Sequence, residues 1–169
     1  MRACLLAGIA TLWLLSNAKV GGAQSIDPCP GETDGATVRV DVARRMLHLC
    51  KNRRSQGNYQ VGLGWRGIGK RKAGDNRTPL GRYCLGEPRA SRSFGTFIPV
   101  GYPTEEQKRM GFSGTAVGIH GPPRSVVLGG LVSMLGDWTA GCIAVGTDDE
   151  IRDVAQWIRE HRVKRVNIE

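Results

Sequence analysis

The feature that most restricts the fold is a series of short runs in which apolar and polar side chains alternate. In ATVRVDV, residues 36–42, Val38, Val40 and Val42 alternate with Thr37, Arg39 and Asp41. A period of two marks a strand with one buried face. RMLHLC comes after a very short turn, and NYQVGLG comes after the polar, basic stretch 51–57, which reads as a loop. Together they read as hairpins. GRYCL and TFIPVGY add two short strands, TAVGIHG a strand ending in a histidine, and KRVNIE a closing strand. Residues 64–80 are rich in Gly, Lys and Arg, have no period, and read as a loop. Helical signals are fewer. Thr104 is placed to cap a short helix in TEEQKRMGF. Thr147 and Glu150 form a capping box, and Ile151, Val154, Ala155 and Ile158 make one apolar stripe behind it. The pattern predicts a mainly β domain with one C-terminal amphipathic helix and minor helices.

The first 23 residues read as a secretory signal. Arg2 precedes the 13-residue apolar run from Ala3 to Leu15, which is short for a membrane span, and Ala23 is a plausible last residue before cleavage. The remaining chain of about 146 residues is enough for one domain with a real core. The formal charge of the whole chain is +9. A basic exported domain suits an anionic cell-envelope polymer, or the charge serves solubility alone. Aromatic residues are sparse and do not interleave with the basic ones, which argues against nucleic acid as a partner. No integral membrane span is expected after cleavage, and nothing in the sequence fixes an oligomeric state.

Two glycine-rich motifs mislead. GLGWRG, 62–67, matches a dinucleotide fingerprint, and GWRGIGK, 64–70, the start of a phosphate-binding loop. Both need a helix directly after the loop, and RKAGDNRTPLG does not make one. Beyond the signal lie Cys29, Cys50, Cys84 and Cys142, with no C-x-x-C among them, so neither a zinc knuckle nor a redox dithiol is supported. An even count in an oxidising compartment would ordinarily mean two disulfides.

One histidine and one cysteine stand apart. His120 ends the apolar run AVGI and is followed by Gly121, Pro122 and Pro123; His48 and His161 read as surface residues. Cys142 comes 22 positions after His120, behind Ala140 and Gly141. Small residues there let a carbonyl approach, with the N–H groups of Gly141 and Cys142 as oxyanion donors. A free thiol is mostly protonated at neutral pH, and an adjacent imidazole can take its proton. The pair is a workable nucleophile and base if their strands are neighbours.

IHG (119–121) followed by DWTAGCIAV (137–145) resembles the active-site signature of the L,D-transpeptidase catalytic domain, the YkuD-like family. GDNRTPLGRY resembles that family's T-P-x-G-x-Y stretch and RVDVARRMLHL its first hairpin. The likeness implies a β-sandwich-like catalytic domain over 36–169, behind a lead-in segment 24–35. It implies acyl transfer on peptidoglycan stem peptides through a thioester, in the periplasm or cell wall, with no cofactor and no metal. Cys142 matches the nucleophile, His120 the general base, and Gly121 the residue whose carbonyl orients the imidazole. Thr139 takes the Ser/Thr position before the cysteine.

Many members carry histidine where Ala140 stands and arginine where Ala144 stands. The DWT-x-GCIAV form is closer to a subgroup that includes murein-trimming hydrolases, so the acyl acceptor is an amine or water. A non-catalytic wall-binding module is the reading from another class. With Cys142 assigned as nucleophile, at most one disulfide forms among the other three cysteines, and Cys29–Cys50 is preferred. Arg77, Thr78, Arg82, Tyr83 and Thr139 are expected to line the cleft, with Arg77 or Arg82 meeting a stem-peptide carboxylate. Trp138 is expected either to stack on substrate or, preferentially, to brace the cysteine loop. The segment SVVLGGLVSMLG is expected to fold over the site as a short helix or lid.

Overall fold

The computed structural model describes Cys29 and residues 35–124 and 136–169. The signal segment and nearly all of the lead-in therefore lie outside the described residues, as does all of the expected lid except Gly136. The described residues form nine strands and two helices: β1 Ala36–Asp41, β2 Met46–Lys51, β3 Arg54–Gly62, β4 Gly81–Cys84, β5 Arg89–Ser91, β6 Gly95–Pro99, α1 Glu105–Arg109, β7 Gly118–His120, β8 Ile143–Val145, α2 Asp148–Glu160 and β9 Arg165–Ile168. The strands form one sheet in the order β4-β9-β1-β2-β3-β8-β7-β6-β5. Thus the chain is mainly β, as expected. Its two layers arise from a single sheet that curls: past β4 and β6 the chain pairs again, with Gly86 N–H on the Pro99 carbonyl and Gly101 N–H on that of Cys84, both at 2.8 Å.

The hydrophobic pattern positions these strands. Val38 and Val40 of β1 face Leu49 and Leu47 of β2, and all four are buried. Parallel β9 adds Val166 and Ile168 beside the two valines. Stretch 51–57 is not a loop. Asn52 and Arg53 both adopt positive φ, the pairing that a tight two-residue hairpin turn requires, and β3 starts at Arg54. Its polar first half is only half-buried, which hides the strand from a search for alternation.

Helix α2 carries the expected capping box and buries Ile151, Val154, Ala155 and Ile158, with Trp157 added to the stripe. It packs on β6. Short α1 is capped by Thr104, as expected, with Gln107 completing a capping box. His48 is buried, its Nδ1 2.6 Å from Asn58 Oδ1, so it is not a surface residue; it sits between Arg39 and Asn58 on the flanking strands, on the face opposite Leu47 and Leu49. His161 caps the end of α2, edge-on to Trp157. Among the described residues no helix is long and apolar enough to cross a membrane.

Cys29 and Cys50 form the preferred disulfide, across 21 positions of chain, while Cys84 and Cys142 are free. The bridge ties the lead-in segment to the β1–β2 hairpin. Replacing both bridged cysteines with alanine should lower the free energy of unfolding by about 3 kcal/mol, the amount expected for a loop of this length. Urea denaturation of the double variant measures it, and an unchanged midpoint would mean the bridge adds nothing to stability.

Candidate active site

The site is built where two three-residue strands run side by side. Strand β7 pairs with β8 in parallel, Ile119 opposite Ile143 and His120 opposite Ala144. Both isoleucines are fully buried. Side chains alternate along strands, so Ile119 and Ile143 share the core face while His120, Ala144 and, one residue before β8, Cys142 belong to the other. The sequence separates Cys142 from His120 by 22 positions, and the pairing returns them to neighbouring strands. Gly118 in β7 leaves no room for a side chain, because a Cβ there would collide with the Phe97 ring.

His120 is buried, with Nδ1 2.7 Å from the Gly121 carbonyl. A carbonyl oxygen only accepts, so Nδ1 carries the proton and Nε2 is left as the basic nitrogen. Phe94 lies parallel on the imidazole at 3.8 Å between ring centres, and Trp138 meets it edge-on at 5.8 Å. Burial holds the imidazole below its ordinary titration range, against a smaller opposite pull from the Gly121 carbonyl. The Cys142 thiol donates to the Ala116 carbonyl at 3.5 Å, and this conformation has no hydrogen bond between the thiol and the imidazole. Ala116 sits at φ +57°, a left-handed backbone uncommon for alanine. Burial also pushes the Cys142 thiol up, offset in part by the Gly118 backbone and by Lys70. Both shifts favour a neutral thiol beside a neutral imidazole.

The cysteine loop is clamped from below. The Thr139 hydroxyl donates to the Cys142 carbonyl at 2.7 Å and accepts the Gly141 N–H at 3.1 Å. The Thr78 hydroxyl accepts the Gly64 N–H at 2.8 Å and donates to the same carbonyl at 3.4 Å. Gly141 has φ +122°, and a Cβ there would lie 2.6 Å from the Arg77 carbonyl oxygen. Four expectations change here. Thr78 and Thr139 are buried braces, not cleft-lining groups. The Gly141 N–H is already spent on Thr139, which leaves the Cys142 amide as the expected oxyanion donor. Tyr83 is buried in the core, donating to the Leu80 carbonyl at 2.7 Å and accepting from Gln107. Arg82 lines a separate basic groove with His161, Arg162 and Arg165.

The Arg77 guanidinium is exposed and donates to the Ile68 carbonyl at 3.0 Å. It does not pair with the Asp75 carboxylate, whose side-chain partner is Lys70. Trp138 packs on Gly62 and against His120, its Nε1 buried without a hydrogen bond. That arrangement fits a brace.

Cys142, Gly141, Ala116, Gly114, Asn76 and Lys70 line a cavity of about 310 Å³. Sequence reasoning misses Phe94, Lys70 and Asp75. Phe94 lies in a turn with no periodic signal. Lys70 and Asp75 look like solvated loop charges. Only the Gly-Asp-Asn turn hints otherwise, because an aspartate there readily accepts neighbouring backbone N–H groups. Among the described residues no cluster of His, Cys, Asp and Glu is arranged to hold a metal ion.

A family model of the L,D-transpeptidase catalytic domain (YkuD) matches residues 35–168. The chain belongs to this family. No curated protein matches it by sequence. Among solved structures it is similar to the helical cell shape determining protein Pgp2 of Campylobacter jejuni, with 25% identity and a TM-score of 0.66 over 80% of this chain and 47% of that one. Bd1075 of Bdellovibrio bacteriovorus gives 23% identity and a TM-score of 0.57, covering 81% and 48%. An L,D-transpeptidase of Enterococcus faecium shares the fold at 12% identity and a TM-score of 0.54, covering 80% and 50%. The chain thus spans about half the length of these proteins.

Gly141→Ala should break the loop: the methyl meets the Arg77 carbonyl and the backbone is strained at positive φ. We expect at least a tenfold fall in Cys142 alkylation, with a loss of stability of roughly 1–3 kcal/mol. Wild-type alkylation in this variant would show that the loop tolerates the change. Trp138→Ala should lower Tm by several degrees and slow the same alkylation, because the indole supports the imidazole. A normal Tm with reduced muropeptide turnover would make Trp138 a substrate contact instead.

Proposed function

We propose that this domain is an exported peptidoglycan acyltransferase that works through a thioester on Cys142. The observation that carries the reading is the parallel β7–β8 register, which sets the free thiol of Cys142 and the oriented imidazole of His120 on one face beside a cavity. Membership of the L,D-transpeptidase family supports the substrate, a stem peptide of the wall. The neighbour named for determining cell shape is consistent with that. In the first half-reaction Sγ attacks the carbonyl carbon of the L-centre and its proton passes to His120 Nε2. The C–N bond then breaks, and that proton leaves on the departing amine. The thioester carbonyl is next attacked by an acceptor amine, which gives a crosslink, or by water, which gives a trimmed peptide; the C–S bond breaks, and the proton lost by the attacking group passes through His120 Nε2 to Sγ and restores the thiol. The Cys142 amide faces the developing oxyanion in both halves. The Gly121 carbonyl keeps the imidazole in the tautomer that makes Nε2 the base. Substrate would rotate the thiol away from Ala116.

One observation favours water as the acceptor. Ala144, opposite His120, is completely buried and offers no charge to a second peptide. The hydrolytic reading therefore stands beside transpeptidation. Incubation with purified muropeptides and mass analysis of the products separates them: crosslinked dimers mean transfer, trimmed monomers mean hydrolysis, and unchanged substrate leaves the non-catalytic module.

Cys142→Ala should abolish turnover with Tm nearly unchanged, since one sulfur in a cleft contributes little packing. Turnover at the wild-type rate would end the nucleophile assignment. His120→Ala should cost about 10²–10⁴-fold in kcat.

The pH dependence is set by burial of the imidazole. His120 must be neutral to act, and its titration lies below the ordinary 6.5. The acid limb of kcat/KM should therefore fall below pH 6.5, with activity rising as pH increases through it. An acid limb above pH 7 would contradict a buried, neutral base.

A further inference from the structure

The loop 64–80 delivers to the nucleophile one charge that the Cys142–His120 chemistry does not use. We propose that Lys70 is a positioning residue for the reaction, a fixed cation inside the Cys142 cavity that supports negative charge on the sulfur and on the adjoining oxyanion as the thioester forms and breaks. The inference rests on the acyl-transfer reading of Cys142.

Its side chain is only 4% exposed, although it sits in a polar loop. The ammonium donates to Asp75 Oδ1 at 2.8 Å and to the Lys72 carbonyl at 3.2 Å, which accounts for two of its three protons. Asp75 is itself held in place, accepting the N–H groups of Arg71, Lys72 and Arg77. Burial would raise its titration, but Lys70 and those three amides keep it far below the usual carboxylate range. The carboxylate is therefore charged at any working pH. The Tyr102 hydroxyl donates to the Lys70 carbonyl at 3.1 Å and fixes the backbone. Burial, Asp75 and Tyr83 push that phenol up to about 12, so it stays neutral.

Two glycines let the side chain lie against the nucleophile loop. A Cβ on Gly141 would be 3.6 Å from Lys70 Nζ, and one on Gly114 would be 3.0 Å from its Cε. The charged and titratable groups facing this corner are Asp75 and Tyr102, which bond the lysine, and Lys70 itself; the His120 imidazole belongs to the neighbouring strand β7. Among the described residues, Lys70 is the one side-chain charge that acts on the thiol, opposing the burial that disfavours its anion.

Stability does not explain a lysine here. A buried ion pair is often no better than apolar residues of the same size. A cation next to a group that becomes negative twice per turnover does explain it. Lys70 exchanges no proton in this scheme: the proton travels from Sγ to His120 to the leaving amine, and the acceptor's proton returns through His120 to Sγ when the thioester C–S bond breaks.

The test uses the full chain and a neutral thiol probe, iodoacetamide, between about pH 6 and pH 10, with alkylation of each cysteine read by peptide-resolved mass spectrometry. Lys70→Met should raise the midpoint for Cys142 by about one pH unit, a tenfold slower reaction at pH 7, with the exposed Cys84 unchanged as internal control. The double variant Lys70→Met, Asp75→Asn removes both charges together, so no carboxylate is left buried alone if the single variant folds poorly; it should show the same shift. Lys70→Arg should keep the wild-type midpoint. An unmoved Cys142 midpoint in a folded neutral variant overturns the proposal, as does an arginine variant shifted as far as methionine. Alkylation needs no substrate, so failure here is distinct from failure of the function: an active wild type with an unmoved midpoint removes only the role of Lys70.

Discussion

The site depends on six residues in two strands. Gly118–His120 and Ile143–Val145 pair in parallel, and the buried Ile119 and Ile143 lock that register to the core. A slip of one residue would exchange the faces, sending His120 into the core and Ile119 into the cleft. The remainder of the fold secures this short contact. Strand β3 pairs with β8 on one side and β6 with β7 on the other, so neither strand is at an edge. Two threonines from different parts of the chain, Thr78 and Thr139, both bond the Cys142 carbonyl, which fixes the nucleophile loop independently of its own short strand.

The electrostatics come from burial. Phe94 and Trp138 surround the imidazole with carbon, and burial disfavours the charged forms of both His120 and Cys142. Such a pair rests uncharged. Lys70 works against that apolar setting from across the cavity. Its ammonium is paired with the Asp75 carboxylate at 2.8 Å. Base and cation thus approach Cys142 from different elements, β7 and the 64–80 loop.

The sequence makes parts of this legible. Alternating valines announce β1, a capping box and an apolar stripe announce α2, and HG followed by AGC announces the dyad. Those signals are local and repeat with a fixed period or motif. The illegible parts depend on tertiary placement. A polar β3 half looks like a loop because only one face of a half-buried strand needs carbon. Thr78 and Tyr83 belong to a motif resembling a substrate wall, yet their hydroxyls turn inward to backbone carbonyls, which no spacing reveals. Lys70 ends a false phosphate motif, and nothing local distinguishes a buried lysine from a solvated one. Counting cysteines once Cys142 is assigned leaves one bridge among Cys29, Cys50 and Cys84, and the first hairpin, which lets segment 29–35 fold back toward Cys50, selects the Cys29–Cys50 pair.

The curled sheet has a consequence for how a peptide is read. Many proteins bind extended ligands by offering an open strand edge to which the ligand adds as one more strand. Here the terminal strands are β4 and β5, of four and three residues, and the chain beyond β4 already pairs with the chain beyond β6. At the other end β5 carries Arg89, whose guanidinium lies over the Phe97 ring. Among the described residues no long backbone ladder is on offer. Any extended ligand entering this cavity then meets the loops around it and not a free strand edge. Sequence change in those loops can reshape the cavity without disturbing the strands that hold His120 and Cys142.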